Sequence, residues 1–394
     1  MRKIAFCLIQ GVYTLAVFSI FVIAILGALI GSFANVVIYR VPAGKSIVFP
    51  ASSCPKCGHK IKPWENIPVI SWLFLRAKCS NCKASISFRY PLIELVTAIG
   101  FGLLAWRWPL EVYGFTVIPL LIIFAMLVMM SMIDLDTLLL PDSLTLPAIL
   151  VGVLGTFIYM QNSGLPSLNQ ALVGGAVGAG IIALVNRVGS LVVRRFADTK
   201  ERLWPIGMDQ VNVAALGGAL GGWTWGLGAA AASMLVNLVA RKPIRLPELT
   251  VYALWVVALV VSSFGILTTP VGGISGTFIA TGIVAIVGAL FWWVRDLASN
   301  EPLPDDSEDE PVAMGFGDVK LAAVLGVILG WQQLLAALFL SFLIGAVGGI
   351  ASRLAGGDRL IPFGPYLVLG GPLALFFGQD LISWYLGMLG ISGA

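Results

Sequence analysis

Tyr113-Gly-Phe-Thr-Val-Ile-Pro-Leu-Leu-Ile-Ile-Phe-Ala-Met-Leu-Val-Met-Met-Ser-Met-Ile133 holds no charged residue, and Asp134-Leu-Asp-Thr-Leu-Leu-Leu-Pro-Asp142 follows at once. An apolar run of this length matches the roughly 20 residues a helix needs to cross hydrocarbon. Comparable runs recur along the chain of 394 residues, of which 58% are hydrophobic and 11% charged. A soluble globule carries about 25% charge, so this composition does not cover a water-facing surface. Disordered chains are polar and charged, which this one is not. The runs are continuous rather than alternating, which excludes a membrane β-barrel. A net charge of +4 offers nothing for nucleic acid. The fold class expected is an all-α polytopic membrane protein.

The charges set the topology. Arg40, Lys45, Lys56, Lys60, Lys62, Arg76, Lys78, Lys83 and Arg89 crowd one window in which Glu65 is the sole acid. Basic loops stay in the cytoplasm, so residues 40–90, 194–209, 241–248, 295–317 and 353–362 are placed inside. Apolar segments at 12–39, 91–107, 113–133, 143–160, 169–193, 211–222, 224–240, 249–267, 272–294, 319–331, 333–352 and 364–388 then read as about nine to twelve full or half-membrane helices. Both termini fall outside. The segments 211–222 and 319–331 are short and Gly-rich, as broken or re-entrant helices are. The domain reading is a first transmembrane helix (1–39), a cytoplasmic four-Cys zinc module (40–90), a membrane bundle (91–193), a repeat-like membrane segment ending in an acidic loop (194–311), and a final bundle (312–394). The acidic run at 299–311 reads as a solvated linker, or as a collar that attracts a basic substrate segment.

Cys54-Pro-Lys-Cys57 and Cys79-Ser-Asn-Cys82 are two C-x-x-C pairs at the spacing of a four-thiolate zinc site. Such a site is closed and therefore structural. The other reading, two disulfides, conflicts with a reducing cytoplasmic face. Cys7 reads as a small apolar residue of the first span. His59, the only histidine, reads as a solvated loop residue, which leaves no histidine for a Ser-His or Cys-His mechanism.

Acids near membrane depth are more informative. Asp134, Asp136 and Asp142 end one span, Asp318 opens another, and Glu94 lies just inside the second span. A carboxylate in hydrocarbon is expensive and marks a functional site by default. Two aspartates brought together share a proton, so that one activates water while the other protonates the leaving group. Gly315 and Gly317 let a substrate strand approach the carboxylate of Asp318. Helix capping is the alternative reading, good for Asp142, fair for Asp136 and poorer for Asp318.

Gly31-Ser-Phe-Ala-Asn-Val-Val-Ile-Tyr-Arg-Val-Pro42, the two C-x-x-C pairs with Asn66-Ile-Pro-Val-Ile-Ser-Trp72 between them, Arg89-Tyr-Pro-Leu-Ile-Glu94, Leu140-Pro-Asp-Ser-Leu-Thr145, Gly315-Phe-Gly-Asp-Val-Lys-Leu321 and Ile361-Pro-Phe-Gly-Pro-Tyr366 together resemble the signature blocks of prepilin peptidases. These are type IV leader peptidases, GxGD aspartic proteases of the bacterial inner membrane. The resemblance implies cleavage of the basic leader of type IV prepilins or pseudopilins at the cytoplasmic face. It implies Asp134 and Asp318 as the catalytic pair, with Gly315, Gly317, Lys320 and Asp136 in support. It places Asn35, Arg40 and Glu94 in the region meeting substrate or methyl donor. It also implies N-methylation of the new N-terminus with S-adenosylmethionine, although no Gly-rich cofactor fingerprint is visible.

The chain departs from the family pattern between the two aspartates. Gly207-Met-Asp-Gln-Val-Asn-Val-Ala-Ala-Leu-Gly-Gly-Ala-Leu-Gly-Gly-Trp223 aligns without gaps on 315–331, which puts Gln210 opposite Asp318. Leu246-Pro-Glu-Leu-Thr250 echoes Leu140–Thr145, and Ala240 falls opposite Asp134. The reading is a duplicated catalytic unit in which each half kept one aspartate. Broken helices, repeats and buried acids also describe a secondary transporter, and a split pair would describe an inactive assembly factor.

Overall fold

The computed structural model describes residues 2–194, 206–242, 248–263, 273–299, 315–354 and 362–390. The acidic loop beyond Ser299 lies outside these residues, and the side chain of Cys7 lies outside those described. The described residues are helical, with no strand beyond isolated bridges in the cysteine module. They form two compact units, Met1–Leu165 and Pro166–Ala394.

The first unit contains α1 (Arg2–Arg40), the cysteine module with the one-turn helix α2 (Ile70–Phe74), then α3 (Arg89–Arg107), α4 (Leu110–Tyr113), α5 (Val117–Thr137) and α6 (Asp142–Gly155). Lipid is as apolar as leucine, so helices here associate through close packing at small residues. α1 meets α3 at Gly27 and Gly31. A Cβ on Gly31 would lie 2.7 Å from the Glu94 Cα, and one on Gly27 would lie 2.8 Å from the Phe101 Cβ. α5 is buried over most of its length. It ends where Leu138 turns left-handed (φ 57°) and donates its N–H to the Asp134 carbonyl at 2.9 Å.

The second unit contains α7 (Leu168–Arg194), α8 (Met208–Gly221), α9 (Trp223–Ala240), α10 (Glu248–Ser263), α11 (Ile274–Ser299), α12 (Phe316–Leu354) and α13 (Gly364–Met388). α7, grouped by sequence with the preceding bundle, packs instead on α12 and α11. Gly174 of α7 faces Gly326 of α12 so closely that a Cβ on either would strike the other's backbone. Gly282 of α11 meets the Ala176 carbonyl in the same way.

The expected spans 319–331 and 333–352 correspond to the two halves of α12, two helices that meet where Gly330 takes the non-helical φ 69°, ψ 168°. Gly222, its counterpart in the repeat, takes φ 89°, ψ 176° and separates α8 from α9. Both glycines precede a tryptophan, Trp223 or Trp331. Gly218 packs against Gly276 of α11, as its counterpart Gly326 packs against Gly174 of α7. The two copies therefore share a backbone break and a packing mode as well as letters.

Seven described helices are long and apolar enough to cross a membrane, and two shorter apolar ones lie at Asp142–Gly155 and Thr250–Ser262. α3 carries Arg89, Glu94 and Arg107, and α8 has 14 residues.

Gly174→Val should overpack the α7–α12 crossing and cost about 1–3 kcal/mol. Gly228→Ala, at a glycine with nothing within 4 Å, should instead gain up to ~1 kcal/mol of helix propensity. Thermal midpoints of the two variants in one detergent check the opposite signs.

Candidate active site and metal centre

Each C-x-x-C closes a knuckle. The Cys54 N–H donates to the His59 carbonyl and the Gly58 N–H to the Cys54 carbonyl, both at 2.9 Å. In the second knuckle the Cys79 N–H donates to Ala84 at 2.8 Å and the Lys83 N–H to Cys79 at 3.1 Å. The residue after the second cysteine is left-handed in both, Gly58 at φ 71° and Lys83 at φ 59°. Glycine suits that position, and lysine holds it at a cost of roughly 1–2 kcal/mol.

The four thiol sulfurs all lie within 4.8 Å of one another, with Cys54 and Cys82 Sγ at 3.8 Å. A tetrahedron with Zn–S near ~2.3 Å has sulfurs about 3.8 Å apart, so the cluster fits zinc. The cysteines are free thiols, not disulfides. The His59 backbone N–H pulls the Cys57 thiol below its usual range. The Ala84 N–H pulls Cys82 the same way, but the crowding sulfurs of Cys57, Cys79 and Cys54 push it up to about 11. Four thiols so close do not all ionise without a cation among them.

His59 is not the solvated residue its sequence position suggests. Its Nε2 is buried 3.5 Å from Glu65 Oε2, and that oxygen accepts the Lys62 N–H at 3.0 Å. The Lys62 N–H, then Ser80 and His59, hold the Glu65 carboxyl below its ordinary range. His59 braces the first knuckle against the turn at Pro63–Asn66.

The module is also fastened to its helices. Arg40 donates to the carbonyls of Ser46 at 2.9 Å and Pro50 at 2.7 Å. Asn35 Nδ2 donates to Tyr90 at 3.2 Å, tying α1 to α3. The Val69 N–H donates to Glu94 Oε2 at 2.7 Å. The residues expected to meet substrate or methyl donor therefore spend these polar groups on backbone.

At the end of α5 the structure adds a pair that was not foreseen. The Arg89 guanidinium grips Asp136 with two hydrogen bonds, 2.6 and 2.8 Å, and donates a third to the Met132 carbonyl at 3.1 Å. Asp136 is therefore an ion-pair partner and not a cap. Two residues along a helix is about 200° of rotation, so Asp134 projects the other way and is buried at 5% exposure. Asp142 sits in the first turn of α6, whose cap position is Pro141. It therefore faces the helix dipole from inside the helix.

In the second unit Asp318 lies in the first turn of α12, and its N–H donates to Gly315 at 3.1 Å. Every residue from Asp318 to Gly330 is buried. Lys320 is buried too, with Nζ 5.7 Å from the Phe316 ring centre. At the aligned positions of α8, Gln210 Oε1 accepts the Gly207 N–H at 2.8 Å, and Nε2 reaches Ser233 Oγ at 3.3 Å. Asn212, opposite Lys320, accepts the Tyr252 hydroxyl at 3.1 Å. α8 begins at Met208, so Asp209 is a first-turn residue and does not cap a helix starting at Val211.

The chain matches known families over most of its length. The bacterial peptidase A24 N-terminal domain matches residues 25–108. The type IV leader peptidase family matches twice, over 121–240 and 244–350, one match to each copy of the repeat. A prepilin leader peptidase/N-methyltransferase of Stutzerimonas stutzeri is 30% identical over 390 residues, covering 92% of each chain. One from Neisseria gonorrhoeae is 34% identical over 312 residues, covering 71% of this chain and 96% of its own. A Myxococcus xanthus enzyme of the same name is 42% identical over 182 residues, covering 46% and 51%. No solved structure matches. The cysteine module, the acid-bearing ends of α5 and α12 and these matches together show that the chain belongs to the type IV leader peptidase family.

Proposed function

We propose that the protein is a membrane aspartic endopeptidase that removes the basic leader of prepilins or pseudopilins, with Asp134 and Asp318 as its catalytic carboxyls. It works at the cytoplasmic face of the bacterial inner membrane. The observation that carries the reading is the contrast between the two copies of the repeat. Gly315-Phe-Gly-Asp318 keeps a carboxylate at the aligned position at the start of a buried half-helix, whereas its copy holds Gln210 there, bonded to its own helix start, with Asp209 one residue out of register. An amide does not exchange a proton as a carboxyl does. One carboxylate takes a proton from the attacking water and the other, protonated, gives its proton to the leaving amine. Gly315 and Gly317 leave the approach to Asp318 free of side chains. Asp136 acts on Asp134 through Arg89, which holds the end of α5 in place.

Zinc is proposed as the ion of the four-thiolate cluster, held by Cys54, Cys57, Cys79 and Cys82. Bound there it completes a closed structural site and stabilises a small loop domain. The names of the relatives add N-methylation of the new N-terminus, which requires S-adenosylmethionine. Asn35, Arg40 and Glu94, each of which also holds backbone, lie in the region proposed to meet substrate or methyl donor. They are proposed as positioning residues, and no step of methyl transfer is assigned to them.

Asp134→Asn and Asp318→Asn should each lower kcat for a prepilin peptide by about 10³-fold or more, and the double variant should be no slower than either. A substituted enzyme that retains the parent rate removes that residue from the pair.

Asp209→Asn should leave the rate within about threefold and cost roughly 0.3–1 kcal/mol from the α8 dipole. Cleavage assays with matched protein amounts, beside Asp318→Asn, separate the two acids.

Elemental analysis should find one zinc per chain in the purified protein, and none in Cys79→Ser. Chelation should open residues 50–85 to trypsin. A metal-free protein that resists trypsin equally would remove the structural role.

A further inference from the structure

The cysteine module carries a group of exposed apolar side chains that neither the metal nor the proposed chemistry uses. Ile70, Leu73 and Phe74 stand at i, i+3 and i+4 of α2 and so share one face. Their exposures are 49%, 61% and 84%. Trp72 points the other way, donating its indole N–H to the Ile86 carbonyl at 3.1 Å and meeting the Phe88 ring edge-on at 5.8 Å. The outward face is therefore not a failure of folding, because the same short helix turns its half-buried tryptophan onto the module.

The position of this face follows from one hydrogen bond. Val69, directly before α2, donates its N–H to Glu94 at 2.7 Å. Glu94 lies five residues into α3, about 7.5 Å along the helix from Arg89. The polar interfacial layer of a bilayer is roughly 5–7 Å deep on each side. With Arg89 at headgroup level, Val69 reaches the boundary between headgroups and acyl chains, and α2 lies there beside α3. α3 also exposes apolar side chains at Leu92, Leu95 and Val96. The charge of the module matches as well. Lys45, Lys56, Lys60, Lys62, Arg76, Lys78 and Lys83 are exposed, and Glu65 is the module's sole acid.

We propose that α2 is a membrane-surface anchor whose Ile70, Leu73 and Phe74 insert into the interfacial layer, while the basic side chains around the zinc knuckles bind acidic phospholipid headgroups. The anchor fixes the height of the module against the bilayer. It depends on the membrane location alone, not on which polypeptide is cut. Basic clusters beside a membrane helix draw anionic lipid, and apolar faces at this depth sink about 5–10 Å into the boundary.

The full chain is placed in nanodiscs of phosphatidylcholine and phosphatidylglycerol, with one environment-sensitive fluorescent amino acid at position 74 or, as control, at Lys56. Lipids brominated at a shallow acyl position should quench position 74 several-fold more than position 56, and aqueous iodide should do the reverse. Omitting phosphatidylglycerol should lower the lipid quenching at 74. Quenching indifferent to headgroup charge overturns the electrostatic half of the proposal. Equal iodide quenching at the two positions overturns the insertion. A position 74 open to iodide in lipid alone, and shielded only when a prepilin peptide is added, assigns the face to substrate and overturns the membrane anchor. Should labelling at 74 alter the helix content, a probe at Leu73 gives the same reading.

Discussion

A carboxylate buried at membrane depth has to be surrounded by protein, because hydrocarbon offers it neither water nor hydrogen bonds. The second unit is organised around that constraint. Asp318 opens a half-helix buried on every side as far as Gly330, and α7 and α13 supply the surroundings. Enclosing a helix so closely requires backbones to approach one another. Gly174 and Gly326 meet at one crossing, and Gly371 of α13 admits the Leu325 side chain at another. The left-handed break at Gly330 ends the buried half and lets the chain leave as a second, more exposed helix. The acid, the glycines and the bend are thus parts of one solution.

The repeat met the same constraint with its acid one residue out of register. α8 keeps the break at Gly222 and the packing at Gly218, and the positions aligned with Asp318 and Lys320 hold the neutral amides Gln210 and Asn212, while the buried Asp209 stands beside them. Gln210 is satisfied by Gly207 and Ser233, and Asn212 by Tyr252. A hydrogen-bonded amide is far cheaper to bury than an ionised carboxylate. A copy freed from catalysis would drift toward such a pattern, holding its architecture while losing the carboxylate at the aligned position. That the family matches both copies agrees with divergence after duplication.

Much of this was legible in the sequence because it depends on local rules. Long apolar runs gave membrane helices, C-x-x-C spacing gave the four-sulfur cluster, and the gapless match of 207–223 to 315–331 gave the repeat with its break. What escaped depended on contacts between distant residues. Arg89 and Asp136 lie 47 positions apart and meet only because α3 packs on α5. His59 turns its Nε2 toward Glu65, a neighbour that its motif does not announce, while the ring stays partly exposed. The expected boundary between 319–331 and 333–352 falls beside the break at Gly330, where a second helix starts without an intervening loop. Exposure of α2 was illegible for another reason. Leu73 and Phe74 look like core residues in letters, and only the placement of Trp72 shows which face is taken.

The metal cluster and the α5 aspartate belong to one scaffold within the first unit. The second knuckle runs through Ile86, whose carbonyl holds Trp72 on α2. α2 is pinned to α3 by the bond from Val69 to Glu94. α3 begins at Arg89, which clamps Asp136 and the Met132 carbonyl in the last turns of α5. Asp134 stands between those two points, and its own carbonyl closes the helix at Leu138. The series ends on the two turns of α5 that carry Asp134. Through it the cluster contributes position. It fixes the loop that orients α3, and α3 fixes the height and rotation of the turn that presents the acid. A catalytic carboxyl misplaced by even an ångström loses much of its effect, so a cation held by the four thiols would serve a carboxyl such as Asp134 through the position of α3.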